Sequence, residues 1–387
     1  MGGSEQSFVQ DAFDTNWIAP LGPNVTAFED DLKKLSGAQS ALALSAGTAA
    51  IHIAMDLLNV GPGDYVLVQS FTFCGSANPV VYRGAEPIFI DSEEETWNMD
   101  PVALQQAIDH LTAAGKKDRI KAIIPVHLYG MPAKMDEIMA IAEAAGIPIV
   151  EDAAESLGST YKQRFTGTMG WMGVYSFNGN KIITTSGGGA LISNDTKAIE
   201  AAFHLATQAR DEAPHYQHSK VGYNYRMSNV LAGIGRGQLE VLTQRVAQRR
   251  ANFERYKSYF AAHFNGHSPI AFQPELDGHF SNRWLSCILV EPQQNGLNRE
   301  TIRLAMEAEN IECRPLWKPM HMQPVFQQAA FYTREGLVQD PDGALSVAGQ
   351  LFEKGLCLPS GTNMTEQDWE RITHCLDRVL AKVSVIG

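Results

Sequence analysis

Lys181 stands in the stretch YSFNGNKIITTSGGGAL, among apolar and small residues and just ahead of three consecutive glycines, Gly187, Gly188 and Gly189. A lysine so placed can be desolvated, which lowers its pKa and frees the amine for Schiff-base chemistry. Read by itself, a lone lysine is more often a solvated surface residue. The glycines do not fit GxGxxG with an acidic follower, so a dinucleotide site is a poor reading. They suit a backbone that passes close to a bound ring or turns sharply.

Asp152, in VEDAAES, closes a strand and so sets a carboxylate at a sheet edge. There it needs a cation or a strong donor, unless it merely caps a helix. In SAGTAAIH, Gly47, Thr48 and Ala49 can offer backbone N–H groups to an anion at a helix start, and Thr48 can add a hydroxyl. The alternative is an ordinary cap by Ser45 or Thr48. In FTFCGSANP, Phe71 and Phe73 could cover a flat cofactor or simply be core.

These residues need elements that bring them together. Apolar runs at Tyr65–Gln69, Pro87–Asp91, Lys121–Val126 and Pro148–Asp152 read as buried parallel strands. Helical patterns lie between them at Ala49–Leu58, Pro101–Ala114 and Met135–Ala145, the last closed by Gly146. The alternation predicts βαβ crossovers and a mainly parallel sheet with helices on both faces, whose ligands bind at the carboxyl ends of the strands. Lys181 lies 29 positions after Asp152, room for a helix or an excursion and a returning strand, so the two can converge from different loops. From Asn229 to Phe264 the chain reads as one long helix or two joined ones, with Val230, Ile234, Leu239, Val241, Leu242 and Val246 at helical spacing. A strand (Trp284–Val290), a helix (Arg299–Glu309), the proline-rich RPLWKPMHMQP and a closing helix from Thr365 then predict a second, smaller α/β domain.

The composition narrows the class. The 387 residues carry 31 Lys+Arg against 43 Asp+Glu, a net charge of −12, which argues against a nucleic-acid partner. With 44% hydrophobic and 19% charged residues the chain can bury a large core. No apolar run approaches the ~18 residues of a membrane helix, and the start has no signal-peptide core. The five cysteines, Cys74, Cys287, Cys313, Cys357 and Cys375, are scattered and form no CxxC pair, a pattern of buried or incidental thiols rather than of a disulfide frame or a metal site. A soluble, cytoplasmic enzyme is the expectation.

Taken in order, the blocks WIAPLGPNVTAFE, SAGTAAIH, FTFCGSANPVVYRGAEPIFID, KAIIPVHLYGMPAKMD, VEDAAESLGSTYK, YSFNGNKIITTSGGGAL, GYNYRMSNVLAGIG and LCLPSG resemble the DegT/DnrJ/EryC1/StrS sugar aminotransferases, which use pyridoxal 5'-phosphate (PLP). Within that family, SFNGNKIITTSGGG looks most like enzymes that aminate C4 of a UDP-linked 4-keto-6-deoxy-N-acetylhexosamine on the route to bacillosamine-type sugars. The resemblance implies fold type I of the PLP-dependent aminotransferases, with a large PLP-binding domain and N-terminal arm over residues 1–238 and a long helix and small C-terminal domain over 239–387. It implies Lys181 as the lysine bound to PLP and Asp152 as the carboxylate that keeps the pyridine nitrogen protonated. Phe73 matches the aromatic on the ring, Gly47, Thr48 and Ser176 the phosphate cradle, and Glu155 a polar position beside the ring. Asn224 resembles an asparagine that reaches the phosphate from the neighbouring subunit, so a homodimer with shared active sites is expected. One departure is Gly187-Gly188-Gly189, where many members have Gly-Glu-Gly.

The implied reaction moves nitrogen from an amino acid, glutamate by analogy, to a nucleotide-linked keto-sugar. Because the chain is acidic overall, attraction of two phosphates must be local. The segment from Arg314 to His321 offers Arg314, Lys318 and His321 around Trp317 and could close over the sugar nucleotide, or it could be a proline-rich connection with surface charges. Tyr223 and Arg226 flank Asn224 and could also line the site. Rival readings are amination of a 3-keto sugar or of a GDP- or dTDP-linked 4-keto sugar, a PLP-dependent sugar dehydratase, a desulfurase, a regulatory protein that kept the fold, and a nicotinamide oxidoreductase. Lys181 argues against the dehydratase, where relatives carry histidine, and the missing fingerprint argues against the oxidoreductase.

Overall fold

The computed structural model describes residues 1–264, 268–294, 296–339 and 346–384. Its main sheet runs in the order Ser40–Leu44, Gly189–Ser193, Met172–Ser176, Val150–Asp152, Ile120–Ile124, Tyr65–Gln69, Glu86–Ile90, Phe331–Thr333, Gly336–Leu337. The Val150–Asp152 and Ile120–Ile124 strands are joined by the parallel bridges Ile123 to Ile149 and Val126 to Asp152. Only Gly189–Ser193 and Gly336–Leu337 run against the rest.

Side chains alternate across each strand, and the alternation sorts them into two cores. Val66, Val68, Phe89, Ala122 and Ile124 pack with the helices Gly47–Leu57 and Thr196–Ala206. Leu67, Ile88, Ile90 and Ile123 pack on the opposite face with Pro101–Ala113 and Met135–Ala145. Both faces being covered is why these strands read as near-continuous apolar runs. The path from Asp152 to Lys181 makes a small hairpin, Thr160–Tyr161 with Arg164–Phe165, and returns as Met172–Ser176, parallel to Val150–Asp152. That is an excursion and a returning strand, with no helix between.

The segment from Asn229 to Phe264 is two helices, Asn229–Glu240 and Leu242–Phe264. The first does not bury the side predicted from Val230, Ile234 and Leu239, which are half-buried. Its buried side carries Ala232, Gly233, Gly235 and Gly237, against the N-terminal helices Glu5–Asp14 and Pro23–Ser36. A Cβ on Gly235 would lie 2.7 Å from the Phe28 ring and one on Gly237 2.7 Å from the Glu5 nitrogen, so backbones approach too closely for larger residues.

A second core holds Tyr256 and Phe260 of the long helix, Ile288 and Val290, Ile302 and Met306, Leu356 and Leu358, and Ile372 and Leu376. Its sheet has the order Ile270–Phe272, Ser286–Val290, Gly355–Leu358, Arg314–Pro315. Phe71, Tyr129, Trp284, Leu316 and Cys357 form a smaller cluster that joins this unit to the carboxyl edge of the main sheet. The chain also returns to the main sheet, where Phe331 and Tyr332 pair in parallel with Phe89 and Ile90. All five cysteines are free, and four are buried.

Candidate active site

Five parallel strands deliver their following loops to one edge. Those loops carry Ser45–Thr48, Ser70–Ser76, His127–Tyr129, Asp152–Glu155 and Ser176–Lys181. A cavity of about 300 Å³ opens there, lined among others by Gly47, Thr48, Phe73, Asp152, Glu155, Ser176 and Lys181.

Lys181 is no surface lysine. Its side chain is 10% exposed, with Nζ 3.6 Å from Glu155 Oε1 and 4.2 Å from the centre of the Trp284 ring. Glu155 is buried, and its other oxygen accepts the Tyr129 N–H at 2.7 Å. Burial pushes its carboxyl up to about 7, outweighing the downward pull of Lys181, while the charge of Asp152 adds to the rise. Tyr129 adopts φ 55°, and its hydroxyl accepts from the Trp317 N–H at 2.8 Å. One buried tyrosine thus ties the residue beside Lys181 to the opposite wall.

Among the described residues no cation pairs with Asp152. Ser76 Oγ donates to Oδ2 at 2.6 Å and the Ala154 N–H to Oδ1 at 3.1 Å; Ser76 in turn meets Thr72 Oγ1 at 2.7 Å. No helix begins at Asp152, so the cap reading falls. The carboxylate lines the cavity with two neutral donors, which suits a cationic group placed there. Nor do Ser45 or Thr48 cap the helix Gly47–Leu57; its N-cap residue is Ala46, with no side-chain hydrogen bond. The first N–H groups of that helix are left for an anion. Phe73 is 56% exposed beside the cavity whereas Phe71 is core, so the two aromatics of one loop divide between the two readings.

The glycine triplet has a different cause from the one expected. A Cβ on Gly189 would sit 2.4 Å from Ala46 C and Gly47 N, and one on Gly188 2.3 Å from Thr185 Oγ1. Gly189 lets the strand close under the helix start, whereas Gly188 makes room for the Thr185 and Met227 side chains. Gly187 has open space and lines the cavity.

Other expected site residues lie elsewhere. Arg226 is committed to Glu29 Oε1 at 2.6 Å and the Ala43 carbonyl at 2.9 Å, clamping the first strand instead of lining the cavity. His321 is buried, stacked at 3.7 Å on Phe331 and joined to Ser70 Oγ at 2.6 Å, with burial pushing its pKa down to about 3. It serves the packing of the returning segment and does not face the cavity. Arg314 is exposed and paired with Glu312 at 2.8 Å, and Lys318 is exposed. Only Trp317 of that segment reaches the cavity, 5.5 Å from the Phe73 ring. Tyr223 donates to Asp56, away from the cavity, at 2.7 Å, and Asn224 is exposed outside it. Sequence reading missed Ser76, Tyr129, Asn180 and Trp284. Ser76 lay within a loop already singled out, but its partner becomes evident only when two strands stand side by side.

The amine, the buried carboxylates, the uncapped helix start and the exposed aromatic together fit an aromatic aldehyde phosphate. Comparison with known proteins agrees. The DegT/DnrJ/EryC1/StrS aminotransferase family matches residues 1–377. The chain belongs to this family. EpsN of Bacillus subtilis (strain 168), whose name places it among PLP-dependent aminotransferases, is 51% identical over 385 residues, covering 100% of this chain and 95% of EpsN. The GDP-perosamine synthase of Escherichia coli O157:H7 is 33% identical over 365 residues, covering 94% of this chain and 92% of that protein. Spr1654 of Streptococcus pneumoniae, named as a sugar aminotransferase, superposes with a TM-score of 0.85 at 25% identity, covering 98% of this chain and 97% of that one. It has been solved in PLP and pyridoxamine phosphate forms. This member of the DegT/DnrJ/EryC1/StrS family is accordingly a PLP-dependent sugar aminotransferase of the α/β fold.

Proposed function

We propose that the chain transfers an amino group from an amino acid, L-glutamate by family analogy, to C4 of UDP-2-acetamido-4-keto-2,4,6-trideoxyhexose. The observation that carries the transamination is the convergence of Lys181, Asp152 and an uncapped helix start in one cavity. The pattern SFNGNKIITTSGGG supports the UDP-linked sugar. A GDP-linked 4-keto sugar is the second reading, favoured by the name of the E. coli relative.

In this reading Gly47, Thr48 and Ser176 would hold the cofactor's phosphate, Phe73 its ring face, Glu155 a ring substituent and Asp152 the proton on its ring nitrogen. Lys181 is the point of covalent attachment. Bound PLP supplies an electron sink for charge left on a carbon that loses its proton. Lys181, once free, would take that proton and deliver it to the cofactor carbon on the other side of the nitrogen, and Glu155 at 3.6 Å orients the amine. Trp284 and Trp317 keep water from it. Asn224 of the partner subunit would complete the phosphate cradle, making a homodimer the active unit. Residues 1–238 would form the cofactor domain, joined by the returning strands Phe331–Thr333 and Gly336–Leu337, and the rest of 239–387 the small one, in a cytoplasmic enzyme.

The test is incubation of purified protein with L-glutamate and a panel of nucleotide-linked 3-keto and 4-keto sugars, with products assigned by mass spectrometry and NMR. A 4-amino product from the UDP-linked sugar is expected. Amination of the GDP-linked sugar alone supports the second reading, and no amination of any sugar ends both. Borohydride should fix the cofactor on Lys181, and a label on another lysine would displace Lys181 from its role.

A further inference from the structure

Behind the tryptophans of the active site lies a second cavity of about 560 Å³, toward the small unit. The two cavities share Asn180, Trp284 and Trp317 as a common wall. That wall is braced, since Trp284 Nε1 donates to the Asn180 carbonyl at 2.7 Å. The shared residues make the two cavities neighbours at one edge, so an extended ligand in the first can reach the second past them.

The second cavity is lined by three arginines, Arg249, Arg314 and Arg371, and two carboxylates, Glu312 and Asp368. Both carboxylates are engaged: Glu312 holds Arg314 at 2.8 Å, and Asp368 accepts from Thr365 N and Oγ1 at 2.9 and 2.8 Å. Arg249, on the helix Leu242–Phe264, donates from Nη1 to the Ser360 carbonyl, and its Nε is buried with no acceptor among the described residues. The charged group that acts on it is another cation, Arg245, and burial pushes the guanidinium down to about 10. Arg371 donates to the Glu309 carbonyl at 2.9 Å and has the charge of Asp368 nearby, which leaves Arg249 as the cation in need of a partner. A desolvated cation without a counter-ion is costly, and an arriving carboxylate or phosphate would relieve that cost through charge-assisted hydrogen bonds.

We propose that this cavity is an anion subsite continuous with the active site, in which Arg249, aided by Arg371, takes an anionic oxygen group of a substrate reacting at Lys181. The inference rests on the transaminase reading. The shared chemistry is a carboxylate or phosphate oxygen, supplied by the far end of a dicarboxylic amino donor or by the diphosphate of a nucleotide sugar.

Calorimetric titration of glutarate, inorganic pyrophosphate and UDP into PLP-loaded wild type, Arg249→Gln and Arg371→Gln tests it without turnover. At least one ligand should bind about tenfold more weakly to Arg249→Gln, and measurably more weakly to Arg371→Gln. A loss confined to glutarate assigns the subsite to the amino donor; a loss confined to pyrophosphate and UDP assigns it to the nucleotide. Unchanged affinities in a folded Arg249→Gln, or no binding of any of the three to wild type, overturn the proposal. Should Arg249→Gln melt early, the exposed Arg371→Gln decides, and unchanged affinities there overturn it. Weakened binding in an enzyme that aminates no sugar leaves the subsite standing and sinks the transaminase reading instead.

Discussion

At the scale of single residues, the site works by placing charge where water is scarce. Among the described residues Asp152 has Ser76 and Ala154 as its donors, both neutral, so its negative charge is available to a cation in the cavity. Asp152→Asn keeps the size and one accepting oxygen, for the Ala154 N–H, while its NH2 turns into a donor toward Ser76 Oγ, and the charge is lost. The half-reaction with glutamate, followed by stopped flow, should slow by a hundredfold or more, on the order seen when one preorganised electrostatic partner is removed. Near wild-type rates would reduce Asp152 to a structural residue. Glu155 leads to a pH prediction. Its carboxyl rises from 4.5 to about 7 on folding, so the folded chain holds a proton that the unfolded chain gives up within that window. Its contribution to stability is full below 4.5 and is lost as pH climbs to about 7. In cofactor-free protein, the stability of Glu155→Gln relative to wild type should therefore increase with pH across that window and level off above it. Urea denaturation over the pH range measures this; a difference that shrinks as pH rises would show the Lys181 pair outweighing burial.

At the scale of elements, the helix start and the strand beside it form one device. The first N–H groups of Gly47–Leu57 are left open because no side chain caps them, and Gly189 allows the neighbouring strand to lie directly against Gly47. Gly189→Ala forces a Cβ to 2.4 Å from backbone atoms that cannot swing aside. We expect it to cost about 1–3 kcal/mol by denaturation and to weaken PLP affinity as the helix start shifts. Gly187→Ala has open space and a permissive backbone, so its stability should stay within about 0.5 kcal/mol of wild type. Equal damage from the two substitutions would refute this division of the triplet. Helix and strand positions were legible in the sequence because burial on both sheet faces imposes long apolar runs. The packing face of Asn229–Glu240 was not, because close backbone approach selects glycine, which a hydrophobic pattern passes over.

At the scale of the whole molecule, one chain presents the cavity but leaves Asn224 outside it. If Asn224 of the partner subunit completes the cradle, mixing inactive Lys181→Ala with inactive Asn224→Ala should restore activity. One site of each hybrid dimer then has both intact residues. Sedimentation should show a dimer or larger. A fully active monomer, or no recovery despite proven subunit exchange, would place Asn224 outside any shared site.

Local order settled much of this protein. The apolar strands, the glycine-stopped helices and the types of Lys181, Asp152 and Phe73 follow from side-chain chemistry and from periodicities of two and 3.6 residues. What only the tertiary structure decided are the relations between distant segments. Ser76 is turned to Asp152, Tyr129 ties Glu155 to Trp317, and Trp284 sits under the amine of Lys181. The same applies to Arg226 and His321, whose types suited a substrate site. Their neighbours Glu29, Ser70 and Phe331 claim them for the scaffold instead. A residue type states what a side chain can do, whereas the partner that uses it is set by which strands and loops the fold brings to one edge.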